Sequence, residues 1–234
     1  MDGQAHLRVM PARIFGIAAA IVLAASAATV SRWRLVPVQQ DQQAPRLSAG
    51  KILVARRSLE DPNFAETVVV LVQYDEEGTV GLILNRQTKV PVSKLSRDLE
   101  GAKGRTEPLF LGGPVAKTGV MGLIRTDAKL DEAKHVFGDV YAVTSKAAVE
   151  KAIASNSGAK TLRLYLGYAG WDAEQLEFEL GLDAWDVLPA NADIVFDPHP
   201  ETLWSRLVEQ EGLRVASLRQ RSAGALAMNA PAEN

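Results

Sequence analysis

The sequence predicts an α+β fold: a single compact domain with bent, mixed β-sheets and flanking helices, preceded by an N-terminal hydrophobic leader. Two observations carry this. β-Branched apolar runs come in pairs across short glycine-bearing turns, which is hairpin chemistry. Capped helical segments also follow some strands, but without the regular strand–helix alternation of a doubly wound parallel sheet. The chain has 234 residues, 47% of them hydrophobic and none of them cysteine, so its core must be built by packing alone. The missing cysteines exclude disulfides, thiolate metal sites and cysteine nucleophiles.

The elements follow in order. Residues 51–57 (KILVARR) and 67–74 (TVVVLVQY) read as strands, the second apolar enough to be buried on both faces. Asp75-Glu76-Glu77-Gly78 is a turn, and 79–84 (TVGLIL) is the return strand. Residues 92–99 follow Pro91 and read as a short helix, and 101–108 as an exposed loop. Strands are expected at 109–111, 120–125 and 140–144. Ser145 caps a helix to about Ala154, with Val149 and Ile153 as an i, i+4 apolar pair, and Asn156-Ser157-Gly158 ends it. In 161–168 (TLRLYLGY), Leu162, Leu164 and Leu166 point inward and the residues between them outward. Asp172 and Gln175 have capping-box spacing and start a helix carrying Leu176, Leu180 and Ala184, although Leu176, Phe178 and Leu180 also alternate with glutamates as in a strand. Residues 185–188 and 194–196 read as short extended pieces, and 200–211 as a helix stopped by Gly212.

Outside this body the signals change. Residues 14–30 (IFGIAAAIVLAASAATV) form an uncharged apolar run behind Arg8 and Arg13, with Ala25-Ser26-Ala27 as a cleavage signature. The expectation is membrane targeting, with release outside the cytoplasm if the segment 1–30 is cut and anchoring if it is retained. Arg32 and Arg34 favour retention, and a cytoplasmic protein starting further along is the alternative. Residues 31–49 read as a flexible linker, 50–212 as the domain, and 213–234 as a disordered tail. The stretch 31–57 carries six Lys/Arg against one Asp, whereas 58–212 carries 15 Lys/Arg against 25 Asp/Glu. Such an acidic body repels phosphate backbones, so direct sequence-specific nucleic-acid binding is not expected. Contact with a membrane, if the leader is kept, is expected through residues 14–30.

No G-x-S-x-G or G-x-G-x-x-G is present. Residues 113–118 (GPVAKT) fail as a phosphate loop because Ala116 and Leu111 stand where glycines are required. Asp197, His199 and Glu201 are close in sequence, but Pro198 and Pro200 favour a capped helix start over a metal site. No cofactor and no metal is expected. What remains is four polar and glycine-rich clusters at strand ends: Asp61-Pro62-Asn63-Phe64; Asn85-Arg86; Gly112-Gly113-Pro114-Val115; and Gly167-Tyr168-Ala169-Gly170-Trp171.

With LEDPNF, VGLILNR, FLGGPV, LYLGYAGW followed by QLE, and AW followed by PA, the chain resembles the YqgE/AlgH family over about residues 50–212. The resemblance implies a compact α+β domain without an established enzymatic activity, in a family often described as transcriptional regulators. The chain departs from the family pattern at Tyr74 and Arg125, where histidines are usual, at Gln87, and at Asp172-Ala173-Glu174. A histidine-based role is therefore not carried over.

Each cluster has a structural and a functional reading. Asn85 satisfies backbone groups at the hairpin exit, or holds a ligand. Arg86 pairs with a carboxylate such as Asp61, or holds an anionic ligand or partner. Gly112, Gly113 and Pro114 give a tight turn with close backbone approach. Gly167 and Gly170 make a strand-to-helix turn around Tyr168, and Trp171 plugs the core. In the functional reading these loops converge on one concave site capped by Asn85, Arg86, Tyr168 and Trp171. The expected function is a non-catalytic binding or regulatory domain acting through a protein partner. The alternative is an enzyme of unrecognised type with its site at the same loops.

Overall fold

A computed structural model describes residues 46–95, 97–128, 132–155 and 158–213. The leader, the linker up to residue 45 and the tail beyond Leu213 lie outside the described residues. Among the described residues, ten strands and four α-helices build the body: β1 (Lys51–Ala55), β2 (Val68–Asp75), β3 (Gly78–Ile83), β4 (Gln87–Pro91), β5 (Pro108–Leu111), β6 (Val115–Arg125), β7 (Lys134–Phe137), β8 (Val140–Val143), α1 (Lys146–Ala154), β9 (Leu162–Trp171), α2 (Gln175–Gly181), β10 (Trp185–Pro189), α3 (Ala192–Val195) and α4 (200–213).

The strands form one curled sheet in the order β10-β1-β2-β3-β9-β6-β8-β7, with β4 and β5 attached beside β9. All neighbours are antiparallel except β5 and β9, so the sheet is antiparallel with a single parallel pair. Ile52 of β1 and Val136 of β7, near opposite ends of this path, lie in the same hydrophobic core. That core is closed by Val195, Phe196, Leu203 and Leu207 from α3 and α4. On the other face, Leu53, Val69, Leu71 and Ile83 meet Trp171, Leu176 and Trp185. Because β1 and β2 feed both cores alternately, they are buried on both faces, as their unbroken apolar character requires. A third core sets α1 residues Val149 and Ile153 against Leu109, Ile124 and Leu162.

Several elements differ from the sequence reading. Two short strands, β4 and β7, lack an apolar run, and their pairing comes from β5 and β8. The helix expected over 92–99 is one 3-10 turn, Val92–Leu95. The N–H groups of Val92 and Ser93 donate to the carbonyls of Glu107 and Arg105, which ties its start to the following loop. β6 begins at Val115 rather than Val120, and β9 runs through to Trp171 instead of turning at Gly167, because Ala169–Trp171 pairs with Thr79–Gly81. Arg163 and Tyr165 are buried, not outward, since the middle of β9 is covered on both faces.

The helix after Trp171 exists but starts at Gln175, with Glu174 as its left-handed N-cap (φ 66°) and Gly181 as its last residue. Only half of the capping box forms: the Asp172 N–H donates to Gln175 Oε1 at 3.1 Å. Residues 194–196, read as extended, belong to α3 and its cap, where Asn191 Oδ1 accepts from the Ile194 N–H at 2.8 Å. Helix α4 passes through Gly212 rather than stopping there. Ser145 caps α1 as read, its Oγ accepting from the Ala148 N–H. Among the described residues no helix is long and apolar enough to cross a membrane.

Candidate functional site

The four sequence clusters meet around β9. This strand pairs with β5 on one edge and β6 on the other, both at Tyr165 and Leu166. β5 and β6 are consecutive in the chain, so residues 112–114 must pass over the β9 backbone to join them. The glycines make this crossing possible. A Cβ on Gly112 would overlap the Gly167 carbonyl, and one on Gly113 would overlap the Tyr168–Ala169 peptide. Gly167 answers from below with φ +68°, where a Cβ would sit 2.6 Å from the Val115 carbonyl. The close backbone approach expected at Gly112-Gly113-Pro114 is therefore present, and the strand-to-helix turn expected at Gly167 and Gly170 is instead a bent strand beneath a crossing.

Hydrogen bonds fix the crossing from both sides. The Gly112 N–H donates to Leu166 O at 2.8 Å, the Ile83 N–H donates to Gly112 O at 2.9 Å, and the Leu111 N–H donates to Arg86 O at 2.9 Å. Beyond it, β6 makes an excursion at 116–119 before its pairing with β9 resumes at Val120. Ala116 takes φ +45° there.

The other clusters lock onto the same frame. Asn85 Oδ1 accepts from the Val68 N–H at 2.9 Å and its Nδ2 donates to Glu66 O at 2.8 Å, so both ends of its amide satisfy backbone. Arg86 does not pair with Asp61; it donates to Pro62 O at 3.1 Å, while Asp61 Oδ1 accepts from the Asn63 N–H. Phe64 stacks on Trp171 at 5.5 Å between centroids, and Trp185 meets both edge-on. Trp171 is buried, as a core plug must be, and one carboxylate oxygen, Glu179 Oε2, accepts from the indoles of both Trp171 and Trp185. Nothing in the sequence marked Glu179 for this role. The nine nominated residues thus form one connected assembly, in which Trp171 is buried and the half-buried Asn85 and Arg86 are held by the backbone of 62–68. Among the described residues, open clefts lie elsewhere, one of about 470 Å³ beside Asp197 and Arg206 and one of about 530 Å³ between the 101–107 loop and Ile153.

Two further features were invisible in the sequence. At either end of the crossing, Leu111 and Val115 are 47% and 37% exposed. Inside the first core, Arg163 lies over the Phe110 ring and donates to the Asp197 carbonyl, and the Tyr165 hydroxyl is buried beside the same guanidinium. Burial pushes the Tyr165 hydroxyl up to about 12, with the neighbouring Arg163 pulling the other way. Burial likewise lowers the Arg163 pKa. At the surface, the Tyr74 hydroxyl is raised by its hydrogen bond to Glu177.

Asp197, His199 and Glu201 do not assemble as ligands. Asp197 accepts from the His199 N–H and ion-pairs with Arg206, holding the start of α4. Among the described residues no three metal-ligating side chains come together.

Comparison with known proteins agrees with this frame. The AlgH-like family profile matches residues 52–216. A UPF0301 protein of Streptomyces avermitilis is 37% identical over 171 residues, covering 69% of this chain and 86% of its own. A UPF0301 protein of Xanthomonas campestris is 33% identical over 184 residues, covering 76% and 96%. Among solved structures, the solution structure of the AlgH protein from Pseudomonas aeruginosa is 30% identical, with a TM-score of 0.54 over 82% of this chain and 99% of that one. A crystal structure from Corynebacterium diphtheriae, 23% identical with a TM-score of 0.57 over 70% and 87%, shares the fold. With its body matched from end to end by this family, the chain belongs to the AlgH-like, UPF0301 family.

Proposed function

We propose that this chain is a non-catalytic binding domain that acts in regulation through a protein partner, which docks on the ridge formed by Leu111, Val115 and the 116–119 excursion. The observation that carries the reading is the exposure of Leu111 and Val115, 47% and 37%, at the two ends of a backbone crossing that glycine packing holds rigid. Apolar anchors on a preorganised backbone lose little entropy on binding and concentrate binding energy. Asn85 and Arg86, the polar groups an enzyme would need at these loops, are engaged by the backbone of 62–68. That engagement favours binding over catalysis.

The test is a photo-cross-linker placed at Val115 in the intact chain, expressed in the native bacterium. A discrete protein adduct that disappears when Leu111→Arg is added, in a variant melting normally, supports the reading. A diffuse ladder of adducts, or an adduct indifferent to Leu111→Arg, contradicts it.

A further inference from the structure

A second surface carries an inference independent of the ridge. On α2, Phe178 is 68% exposed and Leu182, its C-cap, 66%. They are four residues apart and therefore neighbours on one helical line, with Glu174 a further four residues back. A helix this short normally turns its large apolar residues inward, as Leu176 does here.

The surroundings of this apolar pair are one-signed. The Tyr74 hydroxyl donates to Glu177 Oε1 at 2.6 Å, which draws the β2–β3 hairpin tip against α2. Gly78 lies so close to β9 that a Cβ there would stand 2.7 Å from the Trp171 carbonyl. Asp75, Glu76 and Glu77 of the tip thereby join Asp172, Glu174 and Glu177. Among the described residues none of these six carboxylates has a Lys, Arg or His partner within 4.0 Å. The nearby Arg56 is committed to Asp183 and Asp186. The sequence leaves this face unneutralised: no Lys or Arg occurs between residues 58 and 85 or between 164 and 205, the two stretches that build it.

We infer that this face docks a basic amphipathic segment of a partner protein, one that sets an apolar side chain on Phe178 and Leu182 and Lys or Arg side chains among the carboxylates. The choice of occupant rests on charge. A second copy presenting the same face would oppose carboxylate to carboxylate, and anionic lipid or nucleic acid is repelled in the same way. A cationic segment gains ion pairs at the rim, a cation–π contact with the exposed Phe178 ring, and burial of two side chains already open to water.

The probe is a synthetic amphipathic peptide of lysine and leucine, titrated into the full chain and followed by anisotropy and by hydrogen exchange. Expected are saturable binding with exchange slowed at 74–77 and 174–182, weakened about tenfold or more by Phe178→Ser with Leu182→Ser, and similarly by Glu76→Lys with Glu174→Lys. All four side chains are at the surface, so thermal unfolding should be unchanged and confirms that each variant is folded. Unaltered affinity in the serine variant, or protection elsewhere on the domain, overturns the inference. A concentration-dependent dimer that needs Phe178 would assign the face to a second copy. Peptide binding that emerges only after Arg32→Ser with Arg34→Ser would assign it to the chain's own basic stretch. Either result also overturns the inference.

Discussion

Trp171 is where a single side chain does most for this domain. It is 3% exposed, stacked on Phe64, and its indole N–H donates to the Glu179 carboxylate, which also accepts from Trp185. Trp171→Ala is expected to cost about 3–5 kcal/mol, a large part of a domain's stability, read as a lowered urea midpoint. Tyr165 makes a different prediction. Its hydroxyl is held at about 12 by burial against an ordinary value of 10.0. The unfolded chain therefore releases this proton first as pH rises, and the folded state holds it. The contribution is intact below about pH 10 and is lost between about pH 10 and 12, amounting to about 2–3 kcal/mol. Urea unfolding at mildly and strongly alkaline pH should show this loss in the native chain and a smaller one in Tyr165→Phe. The role of Asn85 was readable, because an amide at a hairpin exit has backbone to satisfy. The burial of Arg163 and Tyr165 was not. Their alternation with leucines in β9 is the signature of a half-exposed strand, and only the later closure of the curled sheet by α3 and α4 hides their face.

At the scale of elements, the crossing of residues 112–114 over β9 organises the sheet. It allows β5 and β6 to flank one strand while being joined by three residues. Gly113→Ala is expected to prevent native folding or to lower the melting temperature drastically, because its Cβ has no space above the Tyr168–Ala169 peptide. Gly158→Ala, with nothing within 4 Å of its Cβ, should melt within a degree or two of the native chain. Thermal melts of the two variants side by side check both. The need for close approach at Gly112-Gly113 was legible in the sequence. The crossing was not, because its lower half is supplied by residues some fifty positions later in the chain. The hairpin of β2 and β3 and the cap of α1 were legible because their causes are local: a positive-φ Gly78 and a serine at the N-cap. The short helix α3 and the early start of β6 escaped because pairing and capping partners, not apolar period, decide them.

For the whole molecule, charge and shape set what it meets. The body from 58 to 212 carries ten more acidic than basic residues. Duplex DNA titrated at physiological salt is accordingly expected to show no sequence-selective retention, checked by gel shift with genomic fragments. The α+β class was legible in the sequence, whereas the bent, mixed sheets it led one to expect are one curled, almost wholly antiparallel sheet, because the long β9 pairs along its length with β3, β5 and β6. In the proposed function the motif residues are a frame that holds out the apolar ridge of Leu111 and Val115 for a protein partner. The most direct measurement is the yield of the Val115 cross-link compared between Arg86→Ala, which alters the frame's polar edge, and Leu111→Arg, which alters the ridge. Docking on the ridge keeps the yield near the native one for Arg86→Ala and abolishes it for Leu111→Arg. Loss in Arg86→Ala with a native yield in Leu111→Arg would contradict it and return the site to the polar loops.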